Sequence, residues 1–254
     1  MIFHTHIDLN ADVGERPEAL ADGSEEALIK LISSANIACG GHAGDPNSMR
    51  KVVQLCASYQ VSIGAHPGYP DKDGFGRIAI ALPVEQIEQC VFEQVGELLN
   101  IAASCGQSVV HVKPHGALYN TAAKDAAVAA AIARGVERLG CSLTLVGLAD
   151  SLMLEVWNDR GFRVIGEAFA DRIYEPDGSL RPRIHLDSLI TDPHRAALQA
   201  RTIVAEGLIR AIDGSLLTIH AQTLCIHGDT PGALQAIQEI RGALAEIGCS
   251  IRRG

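Results

Sequence analysis

The sequence predicts an α/β fold in which parallel strands, each followed by a helix, close into a barrel. Three observations carry that reading. Short apolar runs alternate about seven times with amphipathic or alanine-rich runs along the 254 residues, the pattern of parallel strands joined by right-handed crossovers. The strands are short and the units evenly spaced, which favours a closed or nearly closed barrel over an open doubly wound sheet. Charged and imidazole groups follow almost every strand, whereas strand beginnings are plain; both architectures place their sites at the carboxyl ends of strands. No linker, repeat or low-complexity stretch breaks the pattern, so one domain over residues 1–254 is expected.

Taken in order, Ile2 to Asn10 reads as the first strand and ends in the polar run Asn10-Ala-Asp12-Val-Gly14-Glu15. Ser24 to Ile32 is the first helix, with Glu25 and Glu26 suited to its first turn. Asn36 to Cys39 is the second strand, and two glycines turn it into His42. Asp45 stands as the N-cap and Pro46 at the first position of a helix reaching Tyr59. Val61 to Ala65 makes the third strand, followed by His66-Pro-Gly and a Gly- and Pro-rich loop to Arg77 whose length points to function. Pro83 opens a long helix to about Ala103, its apolar residues mainly three and four apart.

Val109 to Val112 is the fourth strand and leads into Lys113-Pro-His115. An alanine-rich helix spans roughly Lys124 to Leu139, Leu143 to Val146 is the fifth strand, and Ser151 to Asp159 is helical. Phe162 to Ile165 is the sixth strand, and Glu175 to Asp192 is an insertion before a helix from Pro193 to about Ala211. Leu216 to Ile219 and Leu224 to His227 form a hairpin or a bent terminal strand, and a final helix follows.

Composition narrows the function. A net charge of -9 with no basic patch beyond Arg252-Arg253 excludes nucleic acid and anionic membrane as partners. No apolar run spans a membrane, and the start of the chain lacks a signal-peptide layout. The seven cysteines contain no C-x-x-C pair, against a disulfide framework or structural zinc. A cytoplasmic protein is expected.

The strand ends collect Asn10, Asp12 and Glu15; His42 and Asp45; His66; Lys113 and His115; Glu167, Asp171 and Arg172; and His227 and Asp229. That asymmetry points to an enzyme rather than a binding module. Asp12, His42 and His66 suit a divalent metal or hydrogen-bond substrate directly; no tight spacing such as H-E-x-x-H supports a firmly bound ion, and none is expected. Lys113 and His115, two apart around Pro114, share a face. Together they suit charge stabilisation with proton transfer, or Lys113 forms a structural pair with a glutamate. Asp229 caps the last helix or works with His227. His4 and His6 read as core or surface residues, His185 and His194 as exposed, and His220 as buried within the terminal hairpin. There is no Walker loop, complete dinucleotide fingerprint or G-x-S-x-G.

Six blocks resemble the LamB/YcsF family nearly end to end. They are Asp8-Leu-Asn-Ala-Asp-Val-Gly-Glu15, Asn36 to Pro46, Gly64 to Asp71 with Gly74-Phe-Gly-Arg77, Val112 to Asn120, Glu167 to Arg172 with Tyr174, and Cys225 to Ala233. The sequence departs from the family's pattern at Ile78 and at Leu186-Asp187-Ser188. The resemblance implies an irregular seven-stranded (β/α) barrel similar to the glycoside hydrolase/deacetylase group. It implies opening of the 5-oxo-L-proline lactam to L-glutamate, driven by ATP with its magnesium, as part of a 5-oxoprolinase with partner subunits B and C. In that reaction Asp12, His42, His66, Lys113 and His115 are the expected catalytic groups. Asn10, Glu15, Asp171, Arg172, His227 and Asp229 are the expected substrate contacts. Lys113 and Arg172 are expected to neutralise developing charge, and replacing Lys113 or Asp12 to lower turnover rather than stability. The alternatives are a stand-alone metal-dependent deacetylase or amidohydrolase and a non-catalytic substrate-binding subunit.

Overall fold

Strand pairing closes on itself in the computed structural model, which describes residues 5–228 and 232–253. Strands β1 (His6–Val13), β2 (Ser34–Ala38), β3 (Ser62–His66), β4 (Val109–Val112), β5 (Thr144–Leu148) and β6 (Val164–Phe169) pair in chain order, all parallel. After a short antiparallel ribbon of β7 (Leu208–Arg210) and β8 (Leu216–Thr218), β9 (Thr223–His227) inserts between β6 and β1. Among the described residues seven strands thus form a closed parallel barrel, and β10 (Ser250–Ile251) adds to the outer start of β1.

The alternation of side chains along these strands sorts them into two environments. Ile7, Leu9, Ala11 and Val13 of β1, Ala35 and Ile37 of β2, and Leu224 and Ile226 of β9 are buried in one apolar cluster with helix residues. Those partners include Val52 and Val53 of α3 (Pro46–Tyr59), Val91, Val95 and Leu98 of α4 (Val84–Ser104), and Ile237 of α9 (Ala233–Glu246). The hydrophobic core is therefore a shell between strands and helices. The other face of the strands carries Asp8, Asn10, Asp12, Ser34, Asn36, His111, Thr223 and Cys225, all buried.

The barrel interior is consequently polar, unlike the layers of branched apolar side chains usual in such barrels. Its rungs are hydrogen-bonded, as burial of polar groups demands. Asp8 accepts the hydroxyls of Ser34 at 2.7 Å and Thr223 at 2.5 Å. Asn10 donates to Thr223 Oγ1 at 2.7 Å and Glu167 Oε1 at 3.0 Å. Asn36 donates to Asn10 Oδ1 at 2.7 Å and Asp12 Oδ1 at 2.9 Å, and its own oxygen pairs with His111 Nε2 at 2.8 Å. Gly64 makes room for that imidazole, since a Cβ there would stand 1.9 Å from His111 Nε2.

Local signals place several elements where the sequence puts them. Asp45 caps α3 in a full capping box with Ser48, with Pro46 at the first turn. Other elements differ. The predicted helix from Ser24 is α2 (Ser24–Ile29), which ends three residues earlier than expected, and an unpredicted short helix, α1 (Pro17–Asp22), precedes it across Gly23 at φ 84°. A further short helix, α5 (Gly116–Ala122), precedes α6 (Ala126–Glu137). Following α7 (Leu152–Asp159), β6 starts two residues later than predicted and runs through Glu167 to Phe169, which turns Glu167 from a loop residue into a strand residue inside the barrel. Helix α8 (Pro193–Glu206) ends at the left-handed Gly207, not near Ala211. Its successor β7 takes β8 as its partner, leaving β9 as a barrel strand rather than half of a hairpin. His220 is exposed and bonded to Asp150, not buried. Among the described residues no helix is long and apolar enough to cross a membrane.

Candidate active site at the carboxyl ends of the strands

Parallel strands deliver their last side chains to one mouth, and β1 supplies the first. Asp12 lies opposite Asn36 of β2 and His227 of β9 in the barrel register. Gly14, at φ 75°, turns the chain so that Glu15 returns towards the β2 and β3 ends. The β2–α3 loop brings in His42, β3 ends on His66, and the Pro114 turn after β4 presents His115. The segment before α4 folds Phe75 and Gly76 over this group. Gly76, at φ 61°, lies so close that a Cβ would be 2.7 Å from His42 Cβ.

Three imidazoles and a carboxylate meet here. His42 stacks on His115 with centroids 3.6 Å apart and planes at 4°, and His66 stands edge-on to both. Glu15 Oε1 lies 3.0 Å from His42 Nε2, 3.2 Å from His115 Nδ1 and 3.8 Å from His66 Nε2. His66 Nε2 is 2.9 Å from His115 Nδ1 and 3.2 Å from Asp12 Oδ2. Burial, then the neighbouring His115, pulls the His42 pKa down to about 3, and burial also lowers that of His115.

Beside this group Lys113 Nζ crosses the barrel to Asp12 Oδ1 at 2.9 Å, Glu167 Oε1 at 3.0 Å and Cys225 Sγ at 3.0 Å. Burial alone would favour the neutral amine. The charge of Asp12 leads the opposing effects, and the pKa stands well above the ordinary lysine value. Asp12 mirrors this: burial pushes its carboxyl up, but His66 and Lys113 hold it well below the usual range. Tyr119 donates to Glu167 Oε2 at 2.8 Å. Across the mouth Asp171 accepts from the His227 backbone and from Nδ1, both at 3.0 Å, which fixes the ring on the Phe169 face.

A cavity of about 920 Å³ opens over these groups. Of the expected residues, Asp12, His66, Lys113, His115, Arg172 and His227 line it. Asn10, Glu15, His42 and Asp171 do not; they touch the lining residues from behind, Asn10 at Lys113, Glu15 and His42 at His115, and Asp171 at His227. Asp229 lies outside the described residues. Arg77, Tyr119 and Arg183 also line the cavity, and sequence reasoning misses them. Tyr119 and Arg77 fall inside recognisable blocks, but no spacing marks them as mouth residues. Arg183 comes from the insertion, where no local signal places it. The Arg172 guanidinium is tied to the carbonyls of Arg181 and Ser188; burial, then nearby Arg183, lowers its pKa to about 10.

Among the described residues two groups of side chains could hold a metal ion: Glu15, His42, His66 and His115, or Asp12, Cys225 and His227. The first offers three imidazoles and a carboxylate, a set that suits a divalent ion. The second fits poorly, because Lys113 Nζ already occupies a place 3.0 Å from Cys225 Sγ and would repel a second cation.

Residues 7–253 match the model of the LamB/YcsF family. The chain is 49% identical over 246 residues to the 5-oxoprolinase A subunit of Chloroflexus aurantiacus, covering 97% of each. It is 46% identical to the 5-oxoprolinase A subunit of Bordetella pertussis, covering 97% of this chain and 98% of the other. Among solved structures it superposes on a lactam utilization protein from Thermus thermophilus with a TM-score of 0.89 and 42% identity, over 97% of this chain and 99% of that one. A putative cellobiose-phosphate cleavage protein from Enterococcus faecalis shares the fold, with a TM-score of 0.56 at 15% identity over 98% of this chain and 97% of that one.

Proposed function

This chain belongs to the LamB/YcsF family, and from that membership and the chemistry of its barrel mouth we propose that it is the A subunit of an ATP-dependent 5-oxoprolinase, hydrolysing 5-oxo-L-proline to L-glutamate in the cytoplasm. The observation that carries this reading is likeness over nearly the whole chain to relatives bearing that subunit name.

The chemistry explains why ATP is needed and what the mouth contributes. An unstrained lactam carbonyl is a weak electrophile and its nitrogen a poor leaving group. Phosphoryl transfer from ATP to the carbonyl oxygen gives a carbon that water attacks. The ring C–N bond then breaks and the nitrogen takes a proton, leaving a glutamyl phosphate that a second water hydrolyses to the carboxylate and phosphate. Asp12, ionised at neutral pH and 3.2 Å from His66 Nε2, is the base for the attacking water. General bases of this kind contribute about a hundred- to ten-thousandfold in rate. His227, aimed by Asp171, faces the cavity as the proton donor to nitrogen. Arg77, Arg172 and Arg183 line the same cavity and supply positive charge for the substrate carboxylate and the phosphoryl group. Lys113 takes a different part from the expected one. An ammonium has three protons to donate, and here they face Asp12, Glu167 and Cys225, so Lys113 positions Asp12 instead of meeting the lactam oxygen. A divalent ion held by Glu15, His42, His66 and His115 would supply Lewis acidity or a water of lowered pKa.

The test is co-purification with subunits B and C, followed by ATP-dependent release of glutamate from 5-oxoproline. Asp12→Asn should lower turnover of the assembled complex by at least about a hundredfold. Wild-type turnover by that variant complex would remove the catalytic reading and leave a non-catalytic presenting subunit. Vigorous ATP-dependent turnover by the chain alone would remove the multi-subunit reading. The imidazole cluster favours one rival, a metal-dependent amidohydrolase acting alone, which predicts ATP-independent activity abolished by chelators.

A further inference from the structure

We propose that Glu15, His42, His66 and His115 bind one divalent transition-metal ion, of the zinc or cobalt type rather than magnesium. The inference deepens the reading of this mouth as an active site, on which it rests, and concerns the ion's place, not the ATP coupling.

The four side chains hold too few protons for the contacts they make. His66 Nδ1 lies 2.7 Å from the Lys113 carbonyl, and His115 Nε2 lies 2.9 Å from the Phe75 carbonyl. A carbonyl only accepts, so each of those nitrogens carries the proton of its neutral ring. The remaining nitrogens, His66 Nε2 and His115 Nδ1, then present lone pairs, yet they face one another at 2.9 Å. Around them stand more acceptors: Asp12 Oδ2 at 3.2 Å from His66 Nε2, and Glu15 Oε1 at 3.2 Å from His115 Nδ1. Only the contact of His42 Nε2 with Glu15 Oε1 has a proton available from a neutral ring. Protonating one ring satisfies part of the cluster. Protonating both places two buried imidazolium protons head to head. A cation between His66 Nε2, His115 Nδ1 and Glu15 Oε1 satisfies these three together, and His42 Nε2 joins them when its proton moves to Nδ1, a buried atom without a hydrogen-bond partner.

The surroundings have the form that metal sites take. Ligating imidazoles usually donate their other N–H to a carbonyl, which fixes tautomer and orientation; His66 and His115 both do so. His42, His66 and His115 are 1%, 1% and 4% exposed, so the site is preorganised and shielded. The four ligand atoms lie within 4.8 Å of one another, and a tetrahedron of metal–nitrogen bonds near 2.1 Å would set them about 3.4 Å apart. His66 and His115 line the large cavity while Glu15 and His42 stand behind them, so a bound ion would face substrate space. Three nitrogens disfavour magnesium, which takes oxygen ligands and retains water, and suit zinc, cobalt or a neighbouring ion.

The experiment uses the full chain, stripped with dipicolinate and titrated by equilibrium dialysis with zinc, cobalt, manganese and magnesium. Zinc and cobalt should bind at about one ion per chain, and the cobalt form should show visible d–d absorption. Saturation at a hundred times Kd should raise Tm by about 5–10 °C, and magnesium at the same concentration should not. His66→Gln and His115→Gln should each lose more than about a hundredfold in zinc affinity, since removing a mere supporting partner can lose that much. The wild-type titration stands whether or not those variants fold. Wild-type protein that binds neither zinc nor cobalt more tightly than magnesium overturns the inference. Tight zinc binding in a complex that cannot open 5-oxoproline overturns only the proposed reaction. Full lactam turnover by a complex that binds no transition metal overturns only this inference.

Discussion

Glu25 shows how one residue near the mouth makes the whole chain sensitive to pH. It is 5% exposed, and its carboxylate accepts the Gly14 backbone N–H at the turn that aims Glu15. Burial outweighs that bond and the charge of Arg16, raising its pKa to about 7 from an ordinary 4.5. A folded-state pKa above the unfolded value favours the folded chain below pH 4.5, and the benefit disappears as pH rises through about 7. Glu25→Gln keeps an acceptor for Gly14 and removes the charge. Urea melts should therefore show the variant gaining on wild type between about pH 5 and pH 8, by on the order of 3 kcal/mol at the alkaline end. Parallel pH profiles for the two proteins would refute this account of Glu25.

The turn that follows β6 is held by two side chains in addition to its backbone bonds. Tyr174 is fully buried, and its hydroxyl accepts the Phe169 N–H at 2.8 Å, closing the turn that carries Asp171 and Arg172. Gln199 of α8 reinforces the same turn by donating to the carbonyls of Phe169 and Arg172. Asp171 in turn orients His227 on β9, so a turn on one strand sets an imidazole on the next. Tyr174→Phe leaves the Phe169 N–H unpaired in the core. It should lower unfolding free energy by about 1–3 kcal/mol, measured as a lower denaturant midpoint at unchanged slope.

The molecule as a whole depends on one ammonium, and the glutamate pair that the sequence offers as one reading of Lys113 is present with Glu167 at 3.0 Å. From the end of β4, Lys113 reaches β1 through Asp12, β6 through Glu167 and β9 through Cys225. From sequence, replacing it should lower turnover and leave stability untouched. The ion pairs argue for a cost in stability as well, because Lys113→Ala would leave Asp12 and Glu167 buried without a cation between them. Breaking a buried pair in this manner costs about 3–5 kcal/mol. For a chain of this size the melting temperature should fall by roughly 6–20 °C. Adding Glu167→Gln should restore part of the loss by removing one stranded charge. A single variant melting with wild type would show that water reaches the barrel interior and screens these groups.

What the sequence by itself determined was local. Periodicity set the alternation of strands and helices, Asp45 and Pro46 set a helix start, and the run of polar residues after each strand marked which end of the sheet carries chemistry. Family blocks added the barrel and a reaction. Tertiary structure decided the rest, because it turns on contacts between residues far apart in the chain. Closure required β9 to find β1, 215 positions away in the pairing of Asp8 with Thr223 through its side chain. The polar interior followed from which face of each strand turned inward, a choice that register fixes and that no single strand reveals. The protonation of His66 and His115 was set by two carbonyls, of Lys113 and Phe75, that belong to other segments. Lys113 was legible as a site residue, but its three partners come from three different strands, so only the closed barrel shows that its charge is already answered.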